Sequence, residues 1–232
     1  MDNEITESWK QALAYYNWTV NLRDFSERMF YNGYFEDIIE SKNTQAFETK
    51  FRNSLNLNKE GAFITAGEVC FWKSYRSQQP SSLTLNILLW LAAQERWNIF
   101  VTALVKLAAN PSFEAFETFK DACGQPNGFA IPITFLSFYQ PALFPMVDKK
   151  IGFWWDANSD HYWKMNAPTF DRRSDGWLQP NQRNWNAYLE WTNFCRKYSI
   201  LLTSLTQSFW RARDVEMAVW EAQKRNLRLD IL

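Results

Sequence analysis

Gly124-Gln-Pro-Asn-Gly128, then Phe129-Ala-Ile-Pro-Ile-Thr-Phe-Leu-Ser-Phe-Tyr-Gln140, then Pro141-Ala-Leu-Phe-Pro-Met-Val-Asp148-Lys-Lys-Ile151 is the stretch on which the fold turns. A glycine-flanked turn opens an apolar helix carrying Ile131, Ile133, Phe135, Leu136 and Phe138. Pro141 stops that helix, because proline lacks the backbone N–H and clashes with the preceding turn. A second interrupter, Pro145, delivers one carboxylate, Asp148, to the head of another apolar segment. Such an order holds an acid still at the mouth of a cleft, and Asp148 is the candidate working group. Aspartate after a proline-containing loop is also a favoured N-cap, which accepts hydrogen bonds from the free N–H groups of the helix it precedes.

Outward from this core, apolar residues recur at helical spacing and turn residues are scarce, with seven glycines and eight prolines in 232 residues. That pattern predicts an all-α protein rather than a sandwich or barrel. Trp9, Leu13, Tyr16 and Val20 mark a helix over residues 4–22, and Asp24 opens a second running to about Ile39. Further helices are expected over 44–55, from Thr65 to near Ser77, over 82–109 in one or two pieces, and from Phe113 to Cys123, ended by Gly124. The last two, Asn184 to Leu202 and Ser208 to Arg228, carry Trp185, Tyr188, Trp191, Phe194, Trp210, Val219 and Trp220 inward. Arg196, Lys197, Arg211 and Arg213 are assigned to their outer faces. The chain is long enough for one domain with ample core. Residues 1–60 read as a helical scaffold packing on 61–232, with 152–183 as an aromatic insert.

The order of features resembles the helix-hairpin-helix DNA glycosylase superfamily. The residues that carry the resemblance are Gly128-Phe129-Ala130-Ile131 for the hairpin and Phe144-Pro145-Met146-Val147-Asp148-Lys149-Lys150-Ile151 for the aspartate segment. Trp72-Lys73 upstream and the Asp214 to Trp220 helix are similar to a little-characterised bacterial branch. Ala130 stands where the hairpin's second glycine is usual. The resemblance covers about residues 60–230 and implies a two-lobed helical bundle of that type. It implies Asp148 as the catalytic carboxylate, and Gly124, Asn127, Gly128, Ala130, Lys149 and Lys150 as DNA contacts. No lysine lies between Gly124 and Val147, so the Schiff-base chemistry of strand-cutting relatives has no nucleophile there. The implied reaction is monofunctional hydrolysis of an N-glycosidic bond, leaving an abasic site in double-stranded DNA whose target base is flipped out of the stack. The implied enzyme is a monomer needing no cofactor or metal.

Two further stretches bear on the base. Trp72-Lys73-Ser74-Tyr75-Arg76 alternates rings with cations, as a base-stacking and phosphate-contacting strip would. It reads equally as an amphipathic helix with Trp72 in the core. Residues 152–185 combine rings, amides and charges, and Trp154, Trp155 and Tyr162 are candidate walls of a base pocket beside Asp148. A bulky or glycosylated base in foreign DNA would suit such a wall; a packed surface loop or a partner interface is the alternative. His161, the only histidine, has no companion for a catalytic pair or metal site and reads as structural.

Formal net charge is zero, so no global field draws the chain to a polyanion. The distribution is uneven. Residues 1–70 hold seven Lys/Arg against eleven Asp/Glu, and residues 149–232 hold thirteen against nine. Cys70, Cys123 and Cys195 show no metal or disulfide spacing and are expected as buried thiols in a reducing cytoplasm. The start Met-Asp-Asn-Glu has no secretory pattern, and no apolar run reaches membrane-spanning length. Besides the glycosylase, a non-catalytic DNA-binding hairpin module and a helical protein-interaction domain remain open.

Overall fold

The computed structural model describes residues 2–29, 38–40, 43–56, 61–76, 80–125, 127–163 and 167–229. Among them the chain is mostly helix: α1 (Asp2–Tyr15), α2 (Arg23–Met29), α3 (Thr44–Leu55), α4 (Ile64–Ser74), α5 (Pro80–Leu91), α6 (Gln94–Ala109), α7 (Phe113–Ala122), α8 (Ala130–Tyr139), α9 (Lys149–Trp163), α10 (Gln182–Thr206) and α11 (Ala212–Arg225). The strands β1 (Val20–Asn21) and β2 (Ile38–Ile39) pair antiparallel, with Val20 opposite Ile39. The fold is all-α in class. The chain divides into two compact units, Met1–Asn17 with Gln140–Leu232, and Trp18–Tyr139.

The Trp18–Tyr139 unit is built around α8. This helix is apolar on every side, as a helix enclosed by others must be, and Pro132 to Phe138 are all buried. Phe138 packs edge-on against Phe47 of α3 at 5.1 Å and against Trp72 of α4 at 5.2 Å. Phe135 meets Phe100 of α6 at 5.2 Å. α4 and α5 lie close because Gly67 offers no side chain. A Cβ there would fall 2.4 Å from Leu88 Cδ2.

The other unit packs α1, α9, α10 and α11 against one another. Its interior is a ladder of rings: Trp191 and Phe194 stack at 5.5 Å, Phe194 meets Tyr198 at 4.4 Å, and Tyr198 meets Trp9 of α1 at 5.1 Å. Tyr16 meets Trp220 of α11 edge-on at 5.8 Å.

Three sequence expectations are corrected. The first helix ends at Tyr15 and not near residue 22, because the chain leaves its unit at Asn17 and extends into β1. The second is described as helix over Arg23–Met29; its expected continuation over 30–37 lies outside the described residues, and Ile38–Ile39, which it was to reach, is strand. Arg211 and Arg213 are buried rather than outward. Arg211 reaches Asp214 at 2.7 Å and Arg213 pairs with Glu216, so each cation has a carboxylate one turn along α11.

The stretch expected as an aromatic insert, a loop or a short helix, is helix over its first part and loop from 167 to 181. α9 carries through to Trp163 because Ile151, Trp154, Trp155 and Ser159 recur at helical steps and are all buried. Gly152 is accommodated within it, since Leu178 Cδ2 lies 3.3 Å from where its Cβ would sit. That loop is closed by an antiparallel bridge between Arg172 and Leu178.

Candidate functional site

The approach to Asp148 is fixed from three directions within its own unit. α11 begins by donating the N–H groups of Ala212 and Arg213 to the carbonyls of Ala142 and Pro141, at 3.3 and 3.1 Å. From α10, the Tyr188 hydroxyl donates to the Pro145 carbonyl at 3.0 Å and the Trp191 indole N–H to the Met146 carbonyl at 2.9 Å. Phe144, Met146 and Val147 fill the core beneath. Two prolines leave this loop short of helical partners for its carbonyls, and side chains from α10 supply them.

Asp148 is the N-cap of α9. Its Oδ1 accepts from the N–H groups of Lys150 and Ile151, at 2.9 and 3.0 Å, and its own carbonyl accepts from Gly152 N–H at 2.8 Å. The residue is half-buried, not enclosed. Lys149 is exposed, and Lys150 sits 4.7 Å from the centre of the Trp220 ring, which Lys224 also approaches at 5.2 Å. The start of α9 therefore carries one carboxylate and the two ammonium groups of Lys149 and Lys150, while the Lys224 ammonium is paired with Glu221 at 3.2 Å.

Trp154 and Trp155 stand one to two turns further along α9, but their rings are turned inward. Each lies about 6 Å from Trp191, at 6.0 and 5.8 Å, and Trp155 donates its indole N–H to the Pro168 carbonyl at 2.9 Å. Both are buried, so their rings pack edge-on or tilted against Trp191 and Phe194 and do not line an open pocket. The side chains of His161 and Tyr162 lie outside the described residues.

In the other unit, the α7–α8 turn has the expected helix-ending geometry. Gly124 has φ +66°, its N–H donates to Asp121 O at 2.9 Å, and Gln125 N–H donates to Lys120 O at 3.1 Å. This paired bonding after a left-handed glycine is a Schellman motif. A side chain at Gly124 would also strike Trp90, whose Cγ lies 2.7 Å from the Cβ position. Pro126 lies outside the described residues; Asn127 is exposed, and Gly128 and Ala130 are half-buried.

Trp72 and Lys73 belong to α4, and Arg76 follows its end. Trp72 is fully buried against Trp18, Phe47 and Phe138, which leaves its faces to the core. Its contact with Phe138 sets it at the far end of α8 from Ala130, about 12 Å along the axis at the helical rise per residue. The Trp72 strip and the glycine turn are thus not neighbours within this unit. Arg76 is exposed and covers Trp18 at 5.0 Å.

One ring that the sequence reading passed over, Trp177, is displayed on a hairpin that meets the side chain of Lys149, the residue after Asp148. Residues 171–179 form a tight hairpin that turns over Arg173–Gly176, with Gly176 at φ +83° and Trp177 opposite Arg173 on the returning arm. Asp175-Gly176 is the sequence signal, a pair suited to a left-handed turn position. Arg173 N–H donates to Trp177 O at 2.9 Å and Gly176 N–H to Arg173 O at 2.8 Å. Both ends are tied by Asn184, whose buried amide donates to the carbonyls of Asp171 and Gln179, each at 2.7 Å, and accepts from Asp171 N–H. Arg172 donates to Gly152 O at 2.8 Å, pairs with Asp156, and lies 4.2 Å over the Phe153 ring. Burial pushes the Asp156 carboxyl above its ordinary range, against the opposing pull of Phe170 N–H and Arg172.

The described residues include no group of three His, Cys, Asp or Glu side chains placed to hold a metal ion. All three thiols are free and buried, and burial raises each, Cys70 to about 12. No helix among the described residues is long and apolar enough to cross a membrane. No family model, curated protein or solved structure matches this chain.

Proposed function

We propose that this protein is a monofunctional DNA N-glycosylase in which Asp148 is the catalytic carboxylate. The observation that carries the reading is the way Asp148 is held. It is half-buried at a helix start, with one oxygen fixed by two backbone N–H groups, on a loop pinned by Tyr188 and Trp191. A carboxylate fixed beforehand is suited to a cationic sugar, because it needs no reorganisation as charge develops.

In this reading the C1′–N bond of a flipped nucleotide breaks and the base leaves with the bond's electron pair. Asp148 stabilises the cationic sugar, orients a water and takes its proton as the water oxygen bonds C1′. Lys149 and Lys150 supply phosphate contacts near the carboxylate. The α7–α8 turn is a separate phosphate contact, through backbone N–H groups at the start of α8. The division of the chain, with both ends in one unit and residues 18–139 in the other, is compatible with a two-lobed bundle.

Asp148 as a satisfied N-cap favours a second reading, a DNA-binding module of the same fold that performs no chemistry. Incubation with duplexes bearing normal, damaged and hypermodified bases, followed by alkali, separates the two. The glycosylase reading expects alkali-labile abasic sites in at least one duplex, and expects Asp148→Asn to abolish them while DNA affinity stays. Undiminished base release by Asp148→Asn, or no abasic site from any duplex, overturns it.

A further inference from the structure

Trp177 is 53% exposed, yet nothing about its backbone is loose. The hairpin that presents it is bridged at Arg172 and Leu178, stitched by the Asn184 amide, and braced by Arg172 on Gly152 and Asp156. Its tip is held too: Trp177 N–H donates to Asp175 Oδ1 at 3.1 Å, and Asp175 pairs with Arg173 at 3.1 Å. A large ring kept in water on a stiff support costs hydrophobic free energy that a loose loop or a smaller residue would avoid.

The hairpin also has a defined neighbour. Lys149 Cδ lies 3.7 Å from where a Cβ on Gly176 would sit, so the residue after Asp148 packs on the residue before Trp177. Phe153, one turn past Lys149, is exposed as well, and Arg172 covers it. Rings interleaved with the cations Lys149, Arg172 and Arg173 match the two faces of a nucleotide: a flat base, and a phosphate of opposite charge.

We infer that Trp177 is a stacking platform for an unpaired nucleobase beside Asp148, with Lys149 and Arg173 on the adjoining phosphates. The inference rests on the DNA-facing part of the function proposed above and not on hydrolysis. It assigns base contact to the 171–179 hairpin and not to the buried Trp154 and Trp155.

The test measures binding alone. The probe is a duplex in which 2-aminopurine stands opposite a tetrahydrofuran abasic analogue, titrated with full-length protein while 2-aminopurine fluorescence is followed. Stacking on an indole quenches that fluorescence. Trp177→Ala is expected to weaken binding about ten-fold, within the range for loss of one base–aromatic stack, and to abolish the quenching. Trp177→Phe restores affinity and part of the quenching. The salt dependence of binding stays as in the unaltered protein for both variants, because no phosphate contact is lost, whereas Lys149→Ala reduces it. Unchanged affinity and quenching in Trp177→Ala overturn the inference, as does a loss that Trp177→Phe fails to restore. Because no bond is cut, the platform can stand where no duplex yields an abasic site. Equally, it can fall while Asp148→Asn still abolishes base release.

Discussion

The indole N–H of Trp191 donates to the carbonyl of Met146 across 2.9 Å, and so a side chain in the middle of α10 fixes the backbone two residues ahead of Asp148. One turn earlier on the same helix, Tyr188 does the same for Pro145 at 3.0 Å. Both rings are fully buried, and burial pushes the Tyr188 phenol far above its ordinary range, which keeps it a donor at any ordinary pH.

Removing either donor strands a buried carbonyl. Tyr188→Phe keeps the ring and deletes only the hydroxyl, and it is expected to cost about 1–3 kcal/mol of stability, the penalty of an unsatisfied buried polar group. Urea denaturation of the variant measures this. Paired with Trp191→Phe, the double variant is expected to lose less or more than the two single losses combined, because the two bonds hold one short loop. Additivity within about 0.3 kcal/mol would show that the carbonyls of Pro145 and Met146 are held independently.

Much of this scaffold could be read in advance, because its cause is local. α8 announces itself by ten nearly apolar residues between a glycine turn and a proline. The ring stripe of α10 follows from spacing alone, and Ser112, not the earlier Pro111, caps α7 by accepting from Ala115 N–H at 3.2 Å. What could not be read is where polarity is satisfied inside the fold. Asp171 and Asn181 look like loop residues, but Asp171 meets Asn181 and Asn184 across ten or more positions in sequence, and Arg172 reaches back to Gly152 and Asp156. Arg213 is a local case of the same kind: its charge reads as solvent-facing until the buried Glu216 is placed one turn along α11. Trp72, Trp154 and Trp155 failed as readable site residues for a related reason. Periodicity says that a ring faces inward or outward, not which of the two a particular tryptophan takes.

Gly124→Ala is expected to be among the most damaging small substitutions in the chain. It forces a residue with a Cβ into φ +66° and drives that carbon to 2.7 Å from Trp90 Cγ. A left-handed alanine costs about 1–2 kcal/mol and overpacking typically about 1–3 kcal/mol more. Chemical denaturation should show a loss of about 2–5 kcal/mol from these two sources. Gly128→Ala, where the nearest atoms lie at 3.4 Å and φ is not left-handed, should lose much less.

The thiols give a test of packing. Cys70, Cys123 and Cys195 are buried, and burial lifts all three above the ordinary thiol range. The thiolate is the reactive form, so an aromatic disulfide reagent at pH 8 is expected to label none of them in the folded protein within minutes. All three should react once urea unfolds it. Rapid stoichiometric labelling of even one thiol without denaturant would show that its pocket opens.

Asp156 gives the chain a signed response to acid. Burial raises its folded-state pKa above the value it takes when unfolded, so between those two values the folded state holds more proton than the unfolded one. Stability therefore falls as pH rises through that window, from the ordinary carboxylate range upward, and this contribution is level on either side. Urea midpoints taken from pH 3.5 to 6.5 should show this component in the unaltered protein and lack it in Asp156→Asn. A slope that is the same in both proteins would mean that burial and the Arg172 pairing cancel at this group, and a component that rises with pH would mean that the pairing outweighs burial.

Asp148 carries two separable duties, and three substitutions divide them. As N-cap it satisfies the N–H groups of Lys150 and Ile151, so Asp148→Ala should cost about 0.5–2 kcal/mol of stability. Asn and Ser are caps of similar rank, so Asp148→Asn and Asp148→Ser should stay within a few tenths of a kcal/mol of the unaltered protein. Chemistry orders the variants differently. Neither an amide nor a hydroxyl balances a cationic sugar or takes a proton from water, so base release should be lost in Asn, Ser and Ala alike. Thermal unfolding and abasic-site formation, measured on the same four proteins, must therefore rank them in different orders. If the two rankings coincide, with Asn and Ser active in proportion to their stability, the carboxylate does nothing beyond holding the first turn of α9.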